Sequence, residues 1–179
     1  INAMAADGGT NIHEGTAWGM RGLTPAAPFT EGQIKDEALS KVMIVMTDGE
    51  NTAYQTGNLN NSYYFSAYGY PYNSNNAAAS YGSNINRLGS SSSTNAQLVT
   101  EMNTRLAQTC TNAKAEGITI YTIGLATSQS VQSTQAVVEA MLTACASDSA
   151  KAFFPQTPST LRAVFAKIAG ELAALRIAQ

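Results

Sequence analysis

Histidine is almost missing from this chain: among 179 residues only His13 carries an imidazole. That excludes any centre built on several histidine ligands and leaves one ring for base chemistry. Cysteine is nearly as scarce. Cys110 and Cys145 form no C-x-x-C unit, so cysteine and histidine together cannot assemble a four-ligand structural zinc site. The two thiols are either joined or buried apart. Charged residues make up 12 % of the chain, about half the usual share. With a formal net charge of -2 and no basic stripe, the composition argues against nucleic acid as a partner. No apolar run approaches the length of a membrane span. A phosphate loop ending in lysine is absent, and so is G-x-S-x-G. What is present suffices for one domain with a sizeable core, since 44 % of the residues are apolar. The chain starts at Ile1 and is expected to be a piece of a longer protein.

Periodicity divides the chain into alternating elements. A Gly-rich turn, Asp7–Asn11, precedes a helix that carries Ile12, Thr16, Met20 and Leu23 on one face and stops at Thr24-Pro25 and Pro28. Lys41 opens a strand whose run Val42–Met46 is wholly apolar, the pattern of a parallel strand buried on both faces. Thr47-Asp48-Gly49-Glu50-Asn51 then turns the chain. Residues 52–93 differ in kind. Arg87 is the sole charge between Thr52 and Thr100, and seven of the eight tyrosines fall here: Tyr54, Tyr63, Tyr64, Tyr68, Tyr70, Tyr72 and Tyr81. Neither a helical nor a strand period is sustained, so this stretch reads as a polar surface insertion.

Regular structure resumes at Thr94-x-x-Gln97, a capping box. A helix with Leu98, Met102, Leu106 and Ala113 on one face runs to Gly117, a plausible terminator. Ile118–Leu125 is the second strand. A helix with Val138, Met141, Leu142 and Cys145 follows, then a short strand over 151–155. Thr157 caps a final helix striped by Leu161, Val164, Phe165, Ile168, Leu172 and Leu175. Strands alternating with helices predict an α/β fold, a parallel sheet with helices on its faces.

Ligands of such sheets collect beyond the carboxyl ends of the strands. Asp48 stands there, and a carboxylate at that point suits a hard cation such as Mg²⁺ or Ca²⁺; alone, Asp48-Gly49 equally makes a simple turn. Gly8-Gly9-Thr10 allows close backbone approach and adds a hydroxyl oxygen, or merely caps the helix after it. Glu50 and Asn51 are either outer contacts of such a site or solvent-facing turn residues. His13 is expected as an exposed residue of the first helical turn. His13-Glu14 lacks the second histidine of a zinc-protease helix.

Taken together, GGTNIHEGTAWGMRGL, KVMIVMTDGEN and ITIYTIGL resemble the von Willebrand factor type A (VWA) domain. The long polar insertion after TDGEN, the cysteines flanking ITIYTIGL, and the ending FAKIAGELAALRIAQ narrow the likeness to the C-terminal part of TadG-like (TadE/TadG-like) Flp pilus assembly proteins. The resemblance covers most of the chain except 52–93. It implies a Rossmann-type VWA sheet in which residues 1–179 form one partial domain. It also implies a metal-ion-dependent adhesion site (MIDAS), with Thr10 at the family's threonine position and Asp48 at its aspartate position. The family's D-x-S-x-S motif is absent from these residues, which implies that the first strands lie upstream of Ile1. The metal site is then incomplete, so Mg²⁺ or Ca²⁺ is expected in the intact domain and weakly or not at all in this fragment. The secreted context of the family favours a Cys110–Cys145 disulfide.

The resemblance therefore leads to a non-enzymatic module that binds a protein partner, a pilus-assembly or envelope component. It implies a periplasmic or extracellular location and a membrane anchor upstream. The Tyr/Ser/Asn/Gly insertion matches the composition of antibody binding loops and is either a recognition loop or a spacer. Two other classes remain open: a metal-dependent hydrolase or phosphoryl-transfer enzyme using Asp48 and Glu50, and a structural envelope protein with a vestigial metal site.

Overall fold

Among the described residues, apolar stripes at helical spacing and β-branched runs between them give three parallel strands and four helices. The structure, a computed structural model, describes residues 9–34, 36, 39–53, 67–68, 87–90, 93–125 and 132–177. In chain order the elements are α1 (Ile12–Leu23), β1 (Lys41–Thr47), α2 (Asn95–Ala115), β2 (Ile118–Gly124), α3 (Gln132–Cys145), a 3-10 turn (Ser149–Lys151), β3 (Ala152–Phe153) and α4 (Pro158–Ile177). The sheet order is β1-β2-β3, with Lys41 opposite Ile118 and Thr47 opposite Gly124. The chain is thus α/β, with a small parallel sheet compatible with a Rossmann-like arrangement. Among the described residues no helix is long and apolar enough to cross a membrane.

The helix ends follow local chemistry. Thr24 is extended (φ -111°, ψ 151°), as a residue before proline must be, and α1 stops there. Thr94 and Gln97 close a full capping box on α2. At the other end of α2, Gly117 takes φ 75° and its N–H donates to the Lys114 carbonyl at 3.0 Å. That left-handed geometry suits glycine and turns the chain directly into β2. The third strand is shorter than the 151–155 expected, because only Ala152 and Phe153 pair with Thr122 and Ile123.

Three helices seal one face of the sheet. Met43, Val45, Ile118 and Ile120 point into a core with Ile12 of α1, Leu106, Cys110 and Ala113 of α2, and Cys145 of α3. A disulfide joins Cys110 to Cys145, with Cα atoms 5.1 Å apart, and so staples α2 to α3 over β2. Among the described residues, the opposite face carries α4 alone. Ile168 packs there with Tyr121 and Ile123, flanked by Leu161, Val164 and Leu172. The Tyr121 hydroxyl donates to Glu171 Oε2 at 2.8 Å, tying α4 to the central strand. Burial, together with the Glu171 carboxylate, pushes the Tyr121 phenol up to about 12. Phe165, expected in the buried stripe, is exposed.

The continuous run in β1 does not become a strand buried on both faces. Met43 and Val45 are buried, but Ile44 is 42 % and Met46 53 % exposed. On this side Val42 packs half-buried against the Tyr121, Ile123 and Ile168 cluster under α4, but the cover does not extend to Ile44 and Met46 among the described residues. Among the described residues, β1 also has no strand on its outer side.

The insertion is not purely a surface appendage. Leu88 is buried against Leu98 and Met102 of α2, with Ala53 and Tyr68 packed beside them. Three points of the 52–93 segment therefore join a small second core. A stretch with no period of its own can still lend single side chains to a neighbouring helix.

Candidate functional site

The turn after β1 and the loop before α1 meet at the carboxyl end of β1. Two short bonds fasten them: Thr10 N–H donates to Thr52 Oγ1 at 2.7 Å, and Thr52 N–H donates to the Thr10 carbonyl at 3.0 Å. A third comes from Asn51, whose Oδ1 accepts from Ile12 N–H at 2.7 Å. The first N–H groups of a helix have no partner within it, and Asn51 satisfies one of α1's from 39 residues away. Asn11 satisfies another, its side chain accepting from Glu14 N–H at 3.0 Å. The Asn51 amide then donates to Asn103 Oδ1 at 2.7 Å, extending the tie to α2.

This corrects the expectation of Asn51 as a solvent-facing turn residue. It is 1 % exposed and works as a strut between three segments. A side chain with both a donor and an acceptor can bridge a helix start and a helix flank, which an exposed turn residue would not do.

Thr10 is half-buried and Asp48 exposed on these fastened segments. Neither side-chain Thr10 Oγ1 nor the Asp48 carboxylate has a partner among the described residues. Thr47 turns its hydroxyl to its own loop, donating to the Gly49 carbonyl at 2.9 Å, which shapes the turn on which Asp48 stands. The end of β2 closes the same corner, with Leu125 N–H donating to the Thr47 carbonyl at 2.8 Å. Glu50 is half-buried. Gly8 lies outside the described residues. Among the described residues no three His, Cys, Asp or Glu side chains gather closely enough to hold a metal ion.

His13 departs from expectation as well. It is half-buried, and its ring stacks on Tyr68 with centroids 5.6 Å apart and planes 12° apart. Its Nδ1 lies 2.7 Å from the Tyr68 hydroxyl. That hydroxyl donates to Asn11 Oδ1 at 3.1 Å. The Arg105 guanidinium sits 5.4 Å over the Tyr68 ring and also reaches the Arg87 carbonyl. Burial pushes the Tyr68 phenol up to about 12. Burial likewise holds the His13 imidazole below its ordinary value, with Arg105 and Arg21 adding to the effect and Glu14 opposing it.

Tyr68 was expected among partner-facing side chains. Its ring and hydroxyl are engaged by α1 and α2, where His13 offers a stacking surface and a hydrogen bond and Arg105 a cation. The other tyrosines of that expectation, Tyr54, Tyr63, Tyr64, Tyr70, Tyr72 and Tyr81, lie outside the described residues. No sequence signal marked the His13–Tyr68 pair, since 55 positions separate them.

Comparison with family models, with curated proteins and with solved structures finds no match to this chain.

Proposed function

We propose that this chain is part of a VWA-like, non-enzymatic protein-binding module of the TadG-like pilus-assembly kind, acting on the outer side of a cell envelope. The observation that carries the reading is the fastening of the Thr10 loop to the Thr47–Thr52 turn at the carboxyl end of β1. Two segments that resemble separate ligand loops of one family stand side by side, held by one backbone–backbone bond and by two bonds from backbone N–H groups to side-chain oxygens. The end of a parallel strand is also where open α/β sheets meet their ligands. The Cys110–Cys145 bond fits an oxidising compartment.

A hard cation fits these residues poorly on their own. The unpartnered donors are the Thr10 hydroxyl and the Asp48 carboxylate, whereas Mg²⁺ or Ca²⁺ takes about six or more oxygens. The proposal is accordingly a partner-binding face, with any Mg²⁺ or Ca²⁺ depending on ligands supplied from elsewhere in the protein. The test is calorimetry with Mg²⁺ on a protein extended upstream. The extended protein should bind the ion at least tenfold more tightly than its Asp48→Ala variant. Equal affinity would remove Asp48 from the site, and with it the adhesion-site reading.

A further inference from the structure

We propose that Asp48-Gly49 is a site of spontaneous main-chain modification, at which aspartate converts through a succinimide to isoaspartate while the chain stays folded.

The reaction needs a carboxyl group free to approach the next amide nitrogen, and a following residue that does not shield that nitrogen. The turn after β1 supplies both. The pairing of β1 with β2 ends at Thr47 opposite Gly124, so Asp48 and Gly49 stand outside the ladder. Asp48 is exposed, and its carboxylate has no partner among the described residues. The Gly49 N–H donates to Thr47 Oγ1 at 3.3 Å, longer than such bonds usually are. A methyl group placed on Gly49 Cα would meet no neighbour within 4 Å among the described residues, so open space lies beside the nitrogen. The ends of the turn are nevertheless held. Thr47 is buried, and Asn51 is tied to Ile12 and Asn103. The rest of the corner therefore does not have to open for the carboxyl to reach the nitrogen.

The chemistry balances without an oxidant or a co-reactant other than water. The Gly49 nitrogen attacks Cγ of the Asp48 carboxyl in its acid form. A N–Cγ bond forms, a Cγ–O bond breaks, and the hydroxyl leaves with the amide hydrogen as one water. The succinimide ring then takes up one water. Opening at Cγ returns aspartate. Opening at the main-chain carbonyl carbon breaks the original peptide bond and leaves the chain running through Cγ, which is isoaspartate.

Asp148 shows the opposite arrangement. It also precedes a small residue, Ser149, but its carboxylate accepts from Ala150 N–H at 2.9 Å and is bound to the Lys151 ammonium. Those bonds hold the group as the cap of the 3-10 turn and must break before Ser149 can attack it.

Isoaspartate adds one methylene to the main chain and leaves the carboxylate attached directly to Cα. The oxygen pair of Asp48 is thereby drawn in towards the backbone. Loss of a partner-binding carboxylate in this way rests on the proposed function; the modification itself does not.

The experiment ages the folded full chain at neutral pH and body temperature over weeks, beside the same chain unfolded in urea. Tryptic fragments are read by electron-transfer fragmentation, which separates isoaspartate from aspartate. Asp48 falls in fragment 42–87 and Asp148 in fragment 115–151, while the other Asp-Gly pair, Asp7-Gly8, lies outside the described residues and in a different fragment. Isoaspartate should accumulate at Asp48 in the folded chain, within about tenfold of its rate in the unfolded one. Asp148 should remain aspartate in the folded chain. Gly49→Ala should slow the conversion about tenfold, because its methyl crowds the nitrogen while fitting the turn. Absence of isoaspartate at Asp48 in the folded chain would overturn the proposal, whatever the unfolded chain does. An unchanged rate in Gly49→Ala, or conversion at Asp148 as fast as at Asp48, would overturn it too. The wild-type comparisons need no variant.

Discussion

β1 and β2 are neighbours of equal length, seven residues each, paired along their whole run. Both are rich in apolar residues, yet six of the seven β2 residues are buried, whereas in β1 burial alternates. The strands differ in their company. β2 has a strand on either side, the stapled α2 and α3 above it and α4 below. β1 has α1 above, nothing over Ile44 and Met46 below, and one strand partner among the described residues. Apolar content makes a strand fit for the interior, but placement among other elements decides whether it gets there.

The comparison can be broken most severely at the staple. Replacing Cys110 and Cys145 by alanine or serine frees a loop spanning a separation of 35 residues, and the chain-entropy relation gives about 4 kcal/mol lost. Chemical denaturation with and without reductant measures it, and the cover of β2 should loosen while that of β1, held by α1, changes little. Next comes a matched pair of truncations. Ile120→Ala empties a fully buried position of β2 and should cost about 3–4 kcal/mol, while Ile44→Ala in β1 should cost less than about 1 kcal/mol. Urea midpoints at equal slope decide this; equal losses would mean that β1 is covered in solution by something not seen here. A smaller effect is expected at the corner that joins β1 to α1. Asn51→Ala leaves the Ile12 N–H without its partner and breaks the link to Asn103, for about 1–2 kcal/mol. Faster amide exchange at Ile12 and Glu14 would locate that loss at the start of α1.

Much of this architecture was readable from local pattern. The Thr94–Gln97 capping box, the Gly117 terminator, the Thr24-Pro25 stop and the α2 stripe through Leu98, Met102, Leu106 and Ala113 each depend on residues within about one or two helical turns. Such signals survive in any tertiary setting. The fates of Asn51, His13 and Tyr68 were not readable, because their partners lie 39 to 57 residues away along the chain. A short polar side chain in a turn looks the same whether it faces water or bridges two helices. The exposure of Ile44 and Met46 was hidden for a related reason: the run Val42–Met46 specifies a strand that tolerates burial on both sides, and says nothing of whether a cover is present. The meeting of the Thr10 loop with the Thr47–Thr52 turn followed from topology. A loop before a helix that packs on β1 and a turn after β1 meet at one end.

Among the described residues the outer flank of β1 has no strand partner. An open strand edge presents rows of free N–H and C=O groups, and proteins commonly guard such an edge with an outward charge. Lys41 is the one charged residue of β1, but it is buried and its ammonium is bound to the Gln33 carbonyl, so it does not act as a guard. A flank without such a guard is open to pairing with a further strand. The far side of the described sheet is blunt, because β3 offers only two residues. Among the described residues the long edge is that of β1 alone, and an upstream strand of the intact protein that paired with it would remove the hazard.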